Sequence, residues 1–249
     1  MSGILFIISA PSGSGKTTLT NEVLKHVPGL QFSISYTTRP PRGSETNGRE
    51  YFFVSQGEFE RMLREGAFLE HANVFGHYYG TARCFLDEAR RAGKDLLLDI
   101  DVQGAAQLKR REPEAVSIFI LPPSRQALEN RLRNRRETEK AAEQQAGRSG
   151  ENLNYEEIIR RRLDGARKEI EKYPEYDYIL VNDRLDQSSD DLKAILAAER
   201  LRRSQMQPSS GDTEILARAQ RCRRENVSPR AQQILDSFGL PDRPHEGTR

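Results

Sequence analysis

The chain has 249 residues, of which 36% are hydrophobic, which is enough for a sizeable core and argues against a wholly disordered protein. Its 39 Lys and Arg residues nearly balance its 37 Asp and Glu residues, and a net charge of +2 argues against general attraction to nucleic acid or membranes. Of the basic residues 31 are Arg, the side chain whose planar guanidinium group suits bidentate binding of phosphate.

Cysteine usage and the N-terminal sequence indicate the compartment. Cys84 and Cys222 form neither a metal-ligand spacing nor a disulfide framework, as is typical of a reducing environment. The N-terminus lacks a basic leader, and its apolar run at residues 4–8 is much shorter than a signal sequence or a membrane span. We therefore expect a cytoplasmic protein with no membrane segment and no nucleic-acid partner.

Short apolar runs alternate with segments of helical character along much of the chain. Runs with little polar alternation are typical of strands buried on both faces, as in a parallel sheet. The predicted strands are Ile4–Ile8, Leu96–Ile100, Ala115–Leu121 and Tyr178–Val181. The predicted helices are Lys16–His26, Ala82–Ala92, Val102–Arg111 and Ser124–Arg136. This alternation predicts an α/β core with a doubly wound parallel sheet.

A segment of different character interrupts this core. Residues 31–80 are rich in Ser, Thr, Gly and aromatic residues, and the stretches Gln31–Tyr36 and Tyr51–Val54 alternate as strands do. Ser55 followed by Glu58 forms a capping box ahead of Phe59, which predicts the start of a helix. We therefore expect a small mixed α+β region inserted into the core.

The segment after the Ser124–Arg136 helix is polar. Residues 136–153 contain two glycines and show no apolar periodicity, so we predict a long mobile loop there. Asn154 occupies the N-cap position of a second, basic helix that runs to about Lys172.

The C-terminal part of the chain forms a separate compositional unit. From Arg200 onward it holds ten Arg and six acidic residues, a net charge of +4, whereas the preceding part has a net charge of −2. Ser228 and Pro229 occupy N-cap and N1 positions, and Gly239 lies where a glycine commonly ends a helix. Because the apolar residues between them share one face, we predict a helix over residues 229–238 that docks on the core or on a second subunit, within a polar, basic extension, residues 201–249.

The sequence after the first predicted strand matches a phosphate-binding loop, or P-loop. A G-K-T triplet lies between a buried strand and a helix start, where backbone N–H groups and the helix dipole bind an anion. Lys16 can reach the β- and γ-phosphates of a nucleotide, and the Thr17 hydroxyl can ligate Mg²⁺. Ala10 stands where the G-x-x-x-x-G-K-T pattern has its first glycine. The predicted ATP-binding residues are Ala10, Pro11, Ser12, Gly13, Ser14, Gly15, Lys16 and Thr17.

Several further motifs follow the P-loop along the chain. They are Ser33–Arg42, Gly48–Tyr51, Glu70, His77–Thr81, Leu98–Gly104 and Val181–Asp183. In this order, over about residues 3–200, these motifs resemble those of the guanylate kinase family. The resemblance implies transfer of the γ-phosphoryl group of ATP to GMP, giving ADP and GDP, in purine nucleotide metabolism and GMP recycling.

The resemblance also implies how the predicted elements are organised. Residues 1–30, 82–123 and 173–200 are expected to form a P-loop NTPase core. Residues 31–81 are then the GMP-binding region, and residues 124–172 form a helical lid that includes the loop 136–153. ATP and GMP are the implied partners, with Mg²⁺ as the cofactor.

The chemistry of the motif residues fits a nucleoside monophosphate. Arg39 and Arg42 are three residues apart beside two prolines, so both guanidinium groups can converge on a dianionic phosphate. By resemblance these two arginines bind the GMP phosphate together with the hydroxyls of Tyr51 and Tyr79.

Guanine presents donors at N1 and N2 and an acceptor at O6, so a carboxylate facing the donor edge favours guanine over adenine. The residues that match the family's guanine-binding positions are Ser35, Glu70, Thr81 and Asp101. Asp99 and Asp101 lie two residues apart around the end of the predicted strand Leu96–Ile100. We assign Asp101 to guanine, and Asp99 together with Thr17 to Mg²⁺.

Arg131 and Arg135 lie four residues apart on a predicted helix and therefore on one face. Phosphoryl transfer between two nucleotides gathers negative charge and needs no enzyme nucleophile, so cations should provide much of the catalysis. The resemblance implies that the catalytic cations are Lys16, Arg131, Arg135 and Arg162. Arg160 and Arg161 adjoin Arg162 and are alternatives to it.

Three other functions compete with this interpretation. Guanylate-kinase-like binding modules keep the fold without the reaction, but here the P-loop Lys and Thr and the lid arginines are all present. Asp101 to Gly104 spells the D-x-x-G of GTPases, yet the base-reading Asn-Lys-x-Asp signature is missing from the sequence. Kinases of AMP or of pyrimidine monophosphates are separated from a GMP kinase only by an assay of the acceptor.

Overall fold

The computed structural model of the chain describes residues 3–74, 76–145, 155–204, 208–226 and 228–240. The strands are β1 (Leu5–Ser9), β2 (Leu30–Ser33), β3 (Tyr36–Thr37), β4 (Phe52–Phe53), β5 (Phe68–Val74), β6 (His77–Ala82), β7 (Asp95–Asp99), β8 (Val116–Leu121) and β9 (Tyr178–Val181). The α-helices are α1 (Lys16–His26), α2 (Gln56–Arg64), α3 (Arg83–Arg91), α4 (Val102–Arg111), α5 (Arg125–Gln145), α6 (Tyr155–Ile170), α7 (Leu185–Ser204), α8 (Asp212–Arg221) and α9 (Pro229–Ser237).

The main sheet is parallel and has the strand order β2-β7-β1-β8-β9. The four apolar runs of the sequence form β1, β7, β8 and β9, so the predicted doubly wound parallel sheet is confirmed. Strand β1 lies at the centre, between β7 and β8, and every residue of β1 is buried. The carboxyl ends of these three strands therefore meet at one edge of the sheet, which is where ligands bind in open α/β folds.

Helices cover both faces of this sheet. Phe6 and Ile8 of β1 pack with Leu19 of α1 and Ile195 of α7 on one face. Leu5 and Ile7 belong to a second buried cluster, which contains the apolar faces of α3, α4, α5 and α6. The alternation of side chains along a strand divides the core in this way and explains why the runs are apolar without a break.

The inserted region folds around a second, mixed sheet with the order β4-β3-β6-β5. Helix α2 begins where the capping box predicts, because the Ser55 hydroxyl accepts from the Glu58 N–H at 3.2 Å. Phe59 of α2 is fully buried and stacks on Phe68 at a centroid distance of 4.5 Å. Aromatic packing thus holds this helix to the sheet that it covers.

One predicted strand of this region is split between the two sheets. Residues 31–36 were expected to form a single strand of the inserted region, but β2 pairs with β7 in the main sheet and only β3 joins the second sheet. Leu30 to Ser33 pair with the backbone groups of β7 on the side away from β1 and so form the edge strand of the main sheet, in place of continuing into the smaller sheet. The first residues of the predicted 31–81 region therefore belong to the core.

The prediction of a loop from residue 136 is wrong for its first part, because α5 continues to Gln145. Glu, Lys, Ala and Gln dominate this stretch, and all of them are strong helix formers that need no buried stripe. Arg133 pairs with Glu129 within α5 at 2.8 Å. It also pairs with Glu156 at 2.7 Å, and this second ion pair joins α5 to α6. Residues 146–153 of the predicted loop, and the predicted N-cap Asn154, lie outside the described residues.

The C-terminal extension contributes to the core. The backbone around Arg223 pairs with β9, the edge strand, since the Ile179 N–H donates to the Cys222 carbonyl at 2.8 Å. Helix α9 lies where the predicted docking helix was expected, and the Ser228 hydroxyl caps it by accepting from the Ala231 N–H at 3.2 Å. The buried face of α9 consists of Ala231, Ile234 and Leu235, and Phe238 just after the helix joins the same cluster.

A last global feature concerns membranes. In the ranges that the structure covers, the helices are all too short or too polar to pass through a bilayer.

Candidate active site

The P-loop lies between β1 and α1, at the carboxyl edge of the main sheet. Gly13 and Gly15 have φ values of 91° and 84°, a left-handed conformation that glycine adopts without strain. A Cβ at Gly15 would lie 2.5 Å from Nδ2 of Asn182, so this position also lacks room for a side chain. The G-K-T triplet therefore has its glycine where the backbone requires one.

Two side chains from distant elements hold the P-loop. Nδ2 of Asn182, just after β9, donates to the Ser14 carbonyl at 2.7 Å, and Nη1 of Arg131 donates to the same oxygen at 3.2 Å. Leu128 of α5 packs over Gly13. The predicted lid residue Arg131 thus lies against the P-loop, and Asn182 is a site residue to which the sequence analysis assigned no role.

Lys16, the first residue of α1, forms an ion pair with Asp99, the last residue of β7. The two side chains are only 18% and 21% exposed. Because β7 is the neighbour of β1 in the sheet, the pair bridges adjacent strand ends. Thr17 follows on the first turn of α1, where its side chain is exposed.

A buried acid, Glu169 of α6, also lies close to the P-loop. Burial raises its pKa to about 7, while the charge of Lys16 and the backbone N–H of Ser12 act in the opposite direction. Sequence analysis missed this residue. The available signal is its position seven residues after Arg162, which places both side chains on one face of α6.

The structure distinguishes between the three consecutive arginines of α6. Arg160 and Arg161 are exposed, and Arg161 pairs with Glu157 at 2.5 Å. Arg162 is half-buried and shares the face of Glu169 that looks towards the P-loop. Its position favours Arg162 among the three. The side chain of Arg135 on α5 lies outside the described part of the chain.

A second cluster forms around Arg39, after β3. Its Nε donates to the Tyr79 hydroxyl at 3.1 Å and its Nη2 donates to Glu45 at 2.9 Å, while the guanidinium lies 5.4 Å from the centre of the Tyr51 ring. Burial raises the pKa of Tyr51 to about 12, so its hydroxyl stays protonated and can donate. Arg42 is exposed, and its backbone N–H donates to Glu45 at 2.7 Å.

Glu45 is another residue that the sequence analysis missed. Burial opposes its ionisation, but hydrogen bonds from Arg39 and from the Arg42 backbone lower the pKa of Glu45 below its usual value. The ionised carboxylate fixes the rotamer of Arg39 and the turn that carries Arg42. An acid three residues after Arg42 is the only sequence signal for this role.

A third cluster contains residues from both sheets. Glu70 on β5 is 3% exposed and is paired across the sheet with the buried Thr81 of β6. Strand β7 ends at Asp99, so Asp101 is free to cap α4, where it accepts from the Gly104 N–H at 2.8 Å. The strand therefore ends between Asp99 and Asp101, and the two carboxyl groups belong to different elements.

Gly104 lies between Glu70 and Asp101. A Cβ on Gly104 would come within 2.2 Å of Oε2 of Glu70 and 3.3 Å of Oδ1 of Asp101. Burial raises the pKa of Glu70 to about 7, and the charge of Asp101 adds to this rise. Ser35 is buried at the crossover between the sheets, where its carbonyl accepts from the Phe52 N–H at 2.9 Å.

The three clusters together define the candidate site. At the P-loop, cations from α1, α5 and α6 lie close to Asp99 and Glu169. The Arg39 cluster presents a guanidinium, two tyrosine hydroxyls and the Glu45 carboxylate, and the third cluster presents two carboxyl groups. Such an arrangement can hold two phosphorylated ligands in line, with an acidic pocket for a base that carries hydrogen-bond donors.

Comparisons with known proteins agree with this geometry. The family model described as guanylate kinase matches residues 2–199. The guanylate kinase of Koribacter versatilis is 57% identical over 238 residues, which cover 96% of this chain and 97% of that protein. The guanylate kinase of Escherichia coli strain K12 is 46% identical over 207 residues, covering 82% of this chain and 92% of that protein.

A solved structure shows the same relationship. The crystal structure of guanylate kinase from Anaplasma phagocytophilum superimposes with a TM-score of 0.62 at 32% sequence identity, covering 91% of this chain and 97% of that one. The resemblance inferred from the P-loop and the motifs that follow it is therefore confirmed. This chain belongs to the guanylate kinase family.

Proposed function

We propose that this chain transfers the γ-phosphoryl group of ATP to GMP, giving ADP and GDP, and so serves purine nucleotide metabolism and GMP recycling. An oxygen of the GMP phosphate forms the new P–O bond as the bond to ADP breaks, and no enzyme nucleophile takes part. The observation that carries the proposal is the juxtaposition of the buried Glu70 and the partly buried Asp101 around Gly104. A P-loop alone indicates a nucleotide, whereas this acidic pocket selects the acceptor.

The guanine base fits between these two acids. Guanine offers N–H donors at N1 and N2, and a carboxylate beside them accepts both, whereas adenine lacks this donor pair. Thr81 and Ser35 contribute hydroxyls of the right kind from β6 and from the crossover before β3. A protonated Glu70 would lose one acceptor, so the ionised form is the one that reads guanine.

The GMP phosphate is held by the Arg39 cluster. Arg39 is already oriented by Glu45 and Tyr79, so little side-chain freedom is lost when the phosphate binds. Arg42 supplies a second guanidinium from the exposed side, and the Tyr51 and Tyr79 hydroxyls donate to the remaining oxygens. A dianion bound in this way points its attacking oxygen towards the P-loop.

ATP is held by the P-loop residues 10–17, with its β- and γ-phosphates near Lys16. Lys16, Arg131, Arg135 and Arg162 are the cations that stabilise the charge on the transferring phosphoryl group. The contact of Arg131 with the Ser14 carbonyl supports its place beside the phosphates. Closure of α5 and α6 over the site would exclude water, which competes with GMP as the acceptor.

Magnesium is the implied cofactor, and the donor set fits it. The ion takes oxygen ligands, commonly one or two from the protein with the rest from phosphates and water. Thr17 on α1 and Asp99 on β7 offer a hydroxyl and a carboxylate, and the described ranges contain no cluster of three acidic, His or Cys side chains. When bound, the ion would neutralise charge on the ATP phosphates.

The setting of the enzyme follows from its chemistry. Cys84 and Cys222 are free thiols, one exposed and one buried, which supports the proposal that the protein works in the reducing cytoplasm. Its partners are ATP and GMP, with no nucleic acid among them.

A coupled kinase assay tests the proposal, with ATP and Mg²⁺ as donor and GMP, dGMP, AMP, UMP and dTMP offered separately. We expect the highest kcat/KM for GMP. Turnover of AMP or a pyrimidine monophosphate at a higher rate would contradict the roles of Glu70 and Asp101. Binding of GMP without turnover would instead indicate a binding module.

A further inference from the structure

One face of α4 is directed at the strand that carries Glu70. Gly104, Gln107 and Arg111 are spaced three and four residues apart, which places them on the same side of the helix. All three residues contact β5. Gly104 adjoins the Glu70 carboxylate, and Gln107 and Arg111 contact backbone atoms of the residues next to Glu70 in the sequence.

The contacts flank Glu70 on both sides. Nε2 of Gln107 donates to the carbonyl of His71 at 2.8 Å, and the N–H of His71 lies 3.4 Å from Oε1 of Gln107. Nη1 of Arg111 donates to the carbonyl of Leu69 at 2.6 Å and lies 3.4 Å from the carbonyl of Phe68. The residues before and after Glu70 are thus tied to α4.

These hydrogen bonds satisfy backbone groups at the edge of the second sheet. β5 is an edge strand in the order β4-β3-β6-β5, so half of its backbone groups have no partner within the sheet. The pairing with β6 also shifts register between Phe68 and Glu70, which leaves Leu69 as an extra residue. Such bulges redirect the side chains next to them, and Arg111 holds the carbonyl of this one.

The helix that ties down β5 also carries the second acid of the pocket. Asp101 caps α4 through the Gly104 N–H, about two turns before Gln107 and about three turns before Arg111. A rigid helix therefore joins Asp101 to the anchors on either side of Glu70. The spacing between the two carboxyl groups depends on these anchors, because Glu70 belongs to a different sheet from the strand that leads to Asp101.

We propose that Gln107 and Arg111 are positioning residues for guanine specificity, which hold the β5 backbone so that Glu70 and Asp101 face the base at a fixed spacing. The inference rests on the proposed guanine-binding role of these two acids. The base itself is not touched by Gln107 or Arg111, whose effect is transmitted through Glu70.

Comparison of GMP with IMP tests this role. IMP keeps N1–H and O6 but lacks the N2 amino group, so loss of the fixed spacing should affect GMP more than IMP. Gln107→Met keeps the length of the side chain and removes both hydrogen bonds, and Arg111→Met removes the donor to Leu69. For each variant we expect kcat/KM for GMP to fall about tenfold and the GMP-to-IMP ratio to fall at least about threefold, with the KM for ATP unchanged.

Controls separate positioning from folding. Arg110→Met changes an exposed residue that is not on the face formed by positions 104, 107 and 111, and it should leave the GMP-to-IMP ratio as in the wild type. Arg111→Lys retains a charged donor and should recover most of the ratio that Arg111→Met loses. Thermal unfolding of each variant identifies any that fail to fold, and if Arg111→Met does so, Gln107→Met serves as the test.

A double-mutant cycle checks that Gln107 acts through Glu70. If it does, Gln107→Met should cost much less GMP specificity when combined with Glu70→Gln than in the wild type. An equal fall of kcat/KM for GMP and IMP in Gln107→Met and Arg111→Met would overturn the inference. Absence of GMP turnover by the wild type would overturn the proposed function instead, so the two failures are distinguishable.

Discussion

The substitution Gly104→Ala tests the geometry of the guanine pocket with a single methyl group. The added Cβ would lie 2.2 Å from Oε2 and 2.9 Å from Cδ of Glu70, whereas ordinary contact begins near 3.4 Å. The Glu70 carboxylate must therefore retreat by about 1 Å. Glu70 is almost fully buried and its neighbours are held by Gln107 and Arg111, so the strand cannot absorb the shift.

The expected loss of activity follows from that displacement. A misplacement of about 1 Å in a site can reduce activity about 100-fold, and we expect a fall of this size in kcat/KM for GMP. Stability should change much less, because overpacking costs about 1–3 kcal/mol whereas replacing Gly by Ala in a helix gains up to about 1 kcal/mol. The variant should therefore remain folded.

The assay varies GMP at saturating ATP, alongside a thermal unfolding curve. Gly57→Ala is the matched control, since Gly57 is also helical and a Cβ there would meet nothing within 4 Å. That control should keep wild-type kinetics. A folded Gly104→Ala enzyme with near-normal kcat/KM for GMP would refute the placement of the base against Glu70.

Three further predictions concern pH, the P-loop and the C-terminal extension. Burial raises the pKa of Glu70 to about 7, and only its ionised form can accept from both guanine donors, so GMP affinity measured by calorimetry should rise between pH 6 and pH 8. In Glu70→Gln the affinity for GMP should rise with pH only by the part that comes from the GMP phosphate, whose second pKa is about 6. A pH profile identical to that of the wild type would contradict the assignment of Glu70 to guanine. Lys16→Ala should lower kcat by about 100-fold or more, and a near-normal kcat would remove Lys16 from the mechanism. Leu235→Ala in α9 should destabilise the protein by about 2–4 kcal/mol in urea denaturation, because the Leu235 side chain is fully buried. The control Gln233→Ala changes an exposed residue of the same helix and should have little effect. Equal stability of the two variants would mean that α9 does not contribute to the core.

The raised pKa of Glu70 also affects the stability of the folded state. An acid whose pKa is raised in the folded state binds more protons there than in the unfolded chain, so its contribution to stability falls as pH rises from about 4.5 to 7. GMP affinity and stability are therefore expected to respond to pH in opposite directions at this residue.

Local patterns were sufficient for much of the fold. The β1 and β8 runs are buried on both faces and could be recognised without knowledge of their partners. The P-loop glycines were found because their spacing, together with Lys16, is tied to one strand and one helix. Ser55 and Ser228 cap their helices as predicted, since a cap involves only residues within one turn.

The failures arose where the signal was weak or non-local. Residues 136–145 were predicted as loop because their helix lacks an apolar stripe, and propensity alone carries it to Gln145. Residues 31–36 were assigned to one sheet because pairing with β7 is decided by an element more than 60 residues away. Sequence patterns contain little information about such long-range competition.

The missed site residues share the same cause. Glu169 and Asn182 reach the P-loop from α6 and from the end of β9, and Glu45 acts by orienting Arg39. Glu45 and Glu169 look like ordinary acidic residues in the sequence, and Asn182 stood only as part of the motif Val181–Asp183, with no role assigned to it. Their roles depend on contacts between elements that only the folded chain brings together.

The central claim is that this site phosphorylates GMP in preference to other nucleoside monophosphates. The most direct measurement offers GMP, AMP, UMP and dTMP together at equal concentrations, with Mg²⁺ and ATP labelled at the γ-phosphate, and follows which diphosphate acquires the label. The account predicts labelled GDP as by far the main product at early times. Labelled ADP, UDP or dTDP in equal or greater amount would contradict it.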